Sequence, residues 1–333
     1  MIGRKSTMVA VAVALTFLGG PMLVEGQEVS RTPWGDPDLN GVWDFRTLTP
    51  FERPEDLAAQ EFFTEEEAAQ FEANRLAEFE IRDDQEPADI VGNYNQFWFD
   101  PGDQLSATNQ TSLVIDPPTG RVPALVAIAQ AKVDALREHR EGTDRHAPTY
   151  GGFVDDLGGG MFAVRCILGF NSGPPIVPAG YNQNIQIFQT PDHVVILHEM
   201  VHDARVVPLD GRGHLPEGVR QWMGDSRGHW EGDVLVVETT NFTDKTASFN
   251  PSVATGAGDG TSLHLTERFS LVDGDTLKYE FTVDDLKTFT EPFTAILPMK
   301  RGEGMYEYAC HEGNYGLTNI LAGARQEEHR RVP

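Results

Sequence analysis

From about Gly160 to Ala309 the chain is a succession of short β-type runs cut by Gly, Asp, Asn and Pro, and this punctuation constrains the fold more than any other feature. The runs Asn184 to Gln189, His193 to Val201, Ala204 to Leu209, His229 to Glu231, Asp233 to Thr239, Leu263 to Val272, Thr276 to Val283, Thr294 to Lys300 and Met305 to Ala309 are all of strand length. The clearest hairpin turns at Asp273-Gly274-Asp275, after which Leu277, Tyr279, Phe281 and Val283 alternate with polar neighbours. Such a series hides its apolar faces only by closing on itself. The predicted fold is therefore mainly β, an antiparallel meander closed as a lipocalin-like barrel or sandwich.

The N-terminal half reads differently and supplies a helical elaboration. Thr64 followed by Glu67 forms a capping box, with Ala68, Phe71, Leu76 and Phe79 on one side of the helix it starts. A second helix is predicted from about Pro123 through Val126, Ala129, Val133 and Leu136. Thr111 to Ile115, followed by a DPPTGR turn, reads as a strand. Residues 27–60 are rich in Pro, Gly, Asp and Trp and read as a wrapping arm with one short strand at Gly41 to Phe45.

Arg4 and Lys5, then the apolar run Met8 to Leu18, then Gly19, Gly20 and Pro21, have the order of a secretory signal peptide, with cleavage expected near Gly26. The run is shorter than the roughly 18 residues a membrane span needs. The expected location is periplasmic or secreted, with no membrane anchor. The organisation this predicts is a signal peptide over 1–26, an arm and helices over 27–160, and the β domain over 161–333. In an oxidising compartment the two cysteines, Cys166 and Cys310, are expected to pair. A formal net charge of −25 makes nucleic acid and anionic lipid poor partners and leaves small neutral molecules as the expected substrates.

The strings TPWGDPDLNGVW, TPDHVVILHEMVHDARVVPLDGRGHLP, QWMGDSRGHWEGDVLVVETTNF and YEYACHEGNYGL run through most of the chain beyond the leader. In them the protein resembles a family of exported bacterial proteins. That resemblance implies export and a shared fold; it names no reaction.

Chemistry concentrates at His198-Glu199-Met200-Val201-His202, a literal HExxH. On a helix this spacing sets two imidazoles on one face for zinc, with the glutamate as general base. Two features oppose that reading: Val194 to Leu197 is a β-branched lead-in, and Ala204 to Leu209 resumes strand character at once. Zinc bound by His198 and His202 is accordingly the alternative, and no cofactor the main expectation, since no phosphate loop or haem motif is present. Read as a strand, the segment points His198, Met200 and His202 to one side and Glu199, Val201 and Asp203 to the other. His198, Glu199, His202, Asp203 and Arg205 then furnish a lumen with acid-base capacity, Glu199 and His202 as base and acid, with Asp203 or Asp225 orienting the histidine.

A second cluster, Arg220 to Trp230, alternates Trp222 and Trp230 with charges; it includes Asp225 and Ser226, without the elbow a serine hydrolase uses. Glu267 interrupts an apolar face and is expected to pair with Arg205 or Arg268. A Cys166–Cys310 bond brings His311 near Arg165 and the loop that holds Asn171, while Tyr181, Asn182 and Trp98 add groups that orient a small ligand. The function predicted is a lyase, isomerase or hydrolase acting on a small neutral aromatic, terpenoid or sugar-derived substrate. Its catalytic candidates are Glu199, His202, Asp203, Asp225 and His311, and its substrate contacts Trp98, Arg165, Asn171, Tyr181, Asn182, Arg205 and Trp222. A non-catalytic lipocalin-like binder is the other alternative.

Overall fold

The computed structural model describes residues 29–57, 60–85, 99–141, 166–249, 257–258, 260–313 and 315–331. The predicted leader, Trp98 and Arg165 lie outside these.

Ten strands make one antiparallel sheet: β1 (Gly41–Asp44), β2 (Val114–Asp116), β3 (Asn184–Gln189), β4 (His193–His198), β5 (Ala204–Pro208), β6 (Asp225–Glu231), β7 (Val234–Thr240), β8 (His264–Leu271), β9 (Thr276–Asp284) and β10 (Phe293–Arg301). Nine follow in the order β5-β4-β3-β1-β10-β9-β8-β7-β6, and β2 adds a short ladder on β10. Two meanders, β3–β5 and β6–β10, are thus joined by β1, which pairs with β3 on one side and β10 on the other. The arm does more than wrap the barrel. It supplies one of the staves.

The sheet curls until β5 and β6 lie against each other without a hydrogen-bonded ladder, so the barrel is nearly closed and carries one seam. Gly228 allows the close approach: a Cβ there would sit 2.7 Å from Leu209 and 2.9 Å from Val207. Buried residues alternate along β3, β4, β8, β9 and β10, as in β9, where Leu277, Tyr279, Phe281 and Val283 are all buried. With Trp43, Ile196, Leu235, Phe269, Phe293 and Met299 these side chains fill the interior, each contributing about 1.5–3 kcal/mol of burial. A lumen so packed is a core.

Residues 168–177 cover one end of that core, with Leu168, Asn171, Ser172 and Ile176 all buried. Gly169 fits there because a Cβ would lie 2.2 Å from the Met200 side chain. Helix α1 (Glu65–Gln85) opens on the predicted box: Glu67 Oε2 accepts from the Thr64 N–H at 2.8 Å, and the Glu67 N–H donates to Thr64 Oγ1 at 3.3 Å. It buries Ala68 against Leu48, Phe63 and Leu105. Helix α2 (Ala127–Arg140) starts later than Pro123, because Leu125 first bridges to Phe289 and the Val126 N–H donates to Thr288 O. Helix α3 (Tyr315–Arg331) follows the disulfide Cys166–Cys310, the pairing expected from the sequence. Among the described residues no helix is long and apolar enough to cross a membrane.

Candidate functional site

The HExxH segment is a strand end and a tight turn, not a helix. β4 stops at His198, and Met200–His202 form a single 3-10 turn in which Val201 (φ 65°) and His202 (φ 46°) occupy the left-handed region. A β-branched residue there is strained, and a strand cannot continue through it. The predicted alternation therefore ends at His198, which faces the core at 1% exposure while His202 is exposed. The helical face on which the HExxH zinc reading rests is absent. Among the described residues no three His, Cys, Asp or Glu side chains come together to hold a metal.

The turn has an anchoring role. Glu199 is buried, accepts from Asn184 Nδ2 at 2.7 Å and takes the Tyr306 N–H at 3.2 Å. His202 Nδ1 lies 2.9 Å from Tyr308 O, to which it donates. Both hold the segment that leads to Cys310, and this explains why Met305 to Ala309 forms no strand: its backbone groups are bound by side chains. His311 is exposed beside that disulfide.

Inside the barrel, β5 and β8 contribute an ion pair. Both Nη groups of Arg205 donate to Glu267, Nη2 at 2.9 Å, and Tyr279 Oη donates to Glu267 Oε1 at 2.8 Å while accepting the Ile176 N–H at 3.0 Å. Of the two partners expected for Glu267, Arg205 is the one it takes; Arg268 pairs on the outer face with Glu231. Burial opposes the Arg205 charge, but the Glu267 carboxylate outweighs it and the guanidinium stays protonated. Burial, reinforced by Glu267, drives the Tyr279 hydroxyl well above its ordinary range. His198 is pushed down to about 3, first by burial and then by Arg205, so its ring is neutral at any physiological pH.

The seam opens beside this pair into a cleft of about 590 Å³. Asp203, Arg205, Trp222 and Asp225 all line it, with Ile167 next to the disulfide and Ser226 on β6. Asp203 is half-buried, and desolvation raises its carboxyl above the ordinary value against the opposing pull of His202 and the Ala204 N–H. Asp225 accepts the Leu215 N–H at 2.8 Å, Arg227 Nη1 at 2.7 Å and His214 Nδ1 at 3.1 Å. The histidine it orients is His214, not His202.

Four of the predicted residues thus converge, and others do not. Asn171 spends its amide on Tyr181 O and Asn182 O, both at 3.1 Å, and Tyr181 packs edge-on to Phe170; none of these lines the cleft. Neither do Glu199, His202 or His311. Sequence reasoning missed His214, whose GRGHLP setting carries no pattern that ties it to Asp225, and Ser226 as a wall. A second cleft of about 530 Å³, lined by Phe51, Phe71, Phe79 and Phe99, lies under α1, but its charges, Arg75 and Glu78, pair with each other at 2.7 Å. The chain matches no known family and aligns with no curated protein, so the seam cleft is read from its own geometry.

Proposed function

We propose that the protein is an exported enzyme that binds a small neutral molecule in the seam cleft and transfers a proton to or from it, in a lyase, isomerase or hydrolase reaction. The observation that carries this reading is the meeting of Asp203, Arg205, Trp222 and Asp225, from two segments of the chain, on one concave surface where β5 and β6 meet without a backbone ladder among the described residues. Asp203 is the proton-transfer group: a carboxyl raised by desolvation is better matched to acid-base work near neutral pH than an ordinary one. Trp222 offers an apolar wall for a ring or terpenoid skeleton, and Arg205 a buried donor. The strained backbone at Val201 and His202, immediately before Asp203, supports a functional turn. Export rests on the leader over 1–26 and on the resemblance to exported bacterial proteins, with the disulfide in keeping with both.

The test is turnover of a panel of neutral aromatic, terpenoid and sugar-derived compounds, followed by NMR. Asp203→Asn is expected to lower the rate of any conversion by about 10²–10⁴-fold while leaving the fold intact; an unchanged rate in both Asp203→Asn and Trp222→Ala overturns the reading. A non-catalytic binder is the second reading, favoured by the employment of Glu199 and His202 as anchors, and it predicts bound but unaltered ligand.

A further inference from the structure

Both ring nitrogens of His198 lack a hydrogen-bond partner among the described residues, although the side chain is buried, and Arg205 Nε is in the same condition. Buried polar atoms are almost always bonded, and leaving them unbonded destabilises a fold. Three such atoms at one place therefore call for a reason. The register Ile196↔Arg205 puts His198 and Arg205 on the same inner face of β4 and β5, one diagonal step apart, a separation that long side chains bridge. Arg205 also lines the seam cleft. The unbonded atoms thus belong to the cleft's buried cation and to its diagonal neighbour.

We propose that His198 and Arg205 together bind the carbonyl oxygen of a neutral substrate, a ketone, lactone, ester or amide, that enters by the seam; this names the substrate class for the cleft and rests on reading the cleft as the substrate site. Glu267 takes one N–H from each Nη of Arg205, and Nε is the guanidinium nitrogen left without a hydrogen-bond partner among the described residues. A neutral imidazole adds one N–H, and a carbonyl oxygen has two lone pairs to receive both. An anionic ligand does not fit. Glu267 already neutralises Arg205, a second buried anion would be uncompensated, and the chain's net charge of −25 opposes its approach. An ammonium group offers only donors. The other imidazole nitrogen is an acceptor, which favours a carbonyl with an N–H or O–H beside it, as in a lactam.

The experiment uses δ-valerolactam and cyclohexanone as probes, with cyclohexene as the control that lacks oxygen, and measures saturation-transfer NMR and thermal midpoints on the protein from Gln27 onward. Wild type is expected to bind the two carbonyl probes. His198→Phe is expected to weaken them at least about tenfold, to leave cyclohexene unaffected and to keep or raise the unliganded thermal midpoint, because it removes unbonded polar atoms. Should His198→Phe not fold, His198→Gln, which keeps one donor and one acceptor, retains binding within about threefold. Carbonyl probes that fail to bind wild type, or that bind His198→Phe as well as wild type, overturn the proposal. Trp222→Ala separates the two readings. Carbonyl binding lost in His198→Phe and kept in Trp222→Ala sustains the carbonyl site and removes the cleft as its entrance; the reverse pattern keeps the cleft and overturns the carbonyl site.

Discussion

Glu267 on β8 holds Arg205 on β5 through a two-point ion pair that crosses the seam where the barrel has no backbone ladder. The side chains are 0% and 4% exposed, so the pair works in a medium where a lone charge is very costly. The pair ties the end strand β5 through the barrel interior to β8, two strands in from the other end of the sheet. It leaves Nε as the nitrogen of Arg205 without a hydrogen-bond partner among the described residues.

Breaking one side of the pair leaves a buried charge without a partner. Glu267→Gln is expected to cost about 3–5 kcal/mol, whereas the double replacement Arg205→Met with Glu267→Leu recovers most of that loss. Urea unfolding midpoints of the three proteins check this; equal stability of Glu267→Gln and wild type would show that the seam holds without the pair.

Acid should act through His198. Its folded-state value of about 3 lies below the ordinary histidine value of 6.5, so between those limits the unfolded chain binds the proton that the folded chain refuses. The stability this group contributes is fully present above about pH 6.5 and is lost as pH falls toward 3. His198→Phe therefore flattens the acid limb of the stability curve over that window, measured by urea titrations at a series of pH values.

Asp203 has the opposite sign. Its carboxyl is raised in the folded state, by burial above all, so the folded chain holds its proton more tightly and stability declines as pH rises from 3.8 through the raised value. Asp203→Asn is expected to be more stable than wild type at neutral pH and indistinguishable from it below pH 3.8, where both forms carry a neutral group. A loss of stability at pH 7 would mean that the Asp203 charge is paired and not a proton-transfer group.

The strand grammar of the chain was legible because half-buried strands print a two-residue period: β3, β7, β8, β9 and β10 fall within two residues of their predicted bounds. What the period could not reveal is long-range closure. Nothing local in Gly41–Asp44 says that it sits between β3 and β10, since that place depends on partners more than 100 residues away. The same holds for the site. His198, Glu199 and His202 look like one motif in sequence, yet the strand ends at His198, which faces the core, and the turn that follows, with Val201 and His202 left-handed, sets Glu199 and His202 against the C-terminal segment. Asp203, Arg205, Trp222 and Asp225 were readable as residues with chemistry; their meeting required the seam.

The C-terminal segment offers the sharpest separation of anchoring from catalysis. Glu199 and His202 bind Tyr306 and Tyr308, and the disulfide fastens Cys310 to Cys166 across 144 residues of chain. Chain-entropy reasoning gives that cross-link up to about 5 kcal/mol, so reduction or Cys310→Ser is expected to lower the thermal midpoint clearly. His202→Ala removes a single exposed hydrogen bond, worth about 1 kcal/mol, and is expected to raise amide hydrogen exchange over 303–313 while the β7–β10 core stays protected. If His202 anchors, any turnover found for the wild type survives this substitution to within about twofold, an effect well below the 10²-fold of a lost acid or base. If exchange over 303–313 is unchanged and turnover collapses, His202 belongs to the chemistry and Asp203 is its partner.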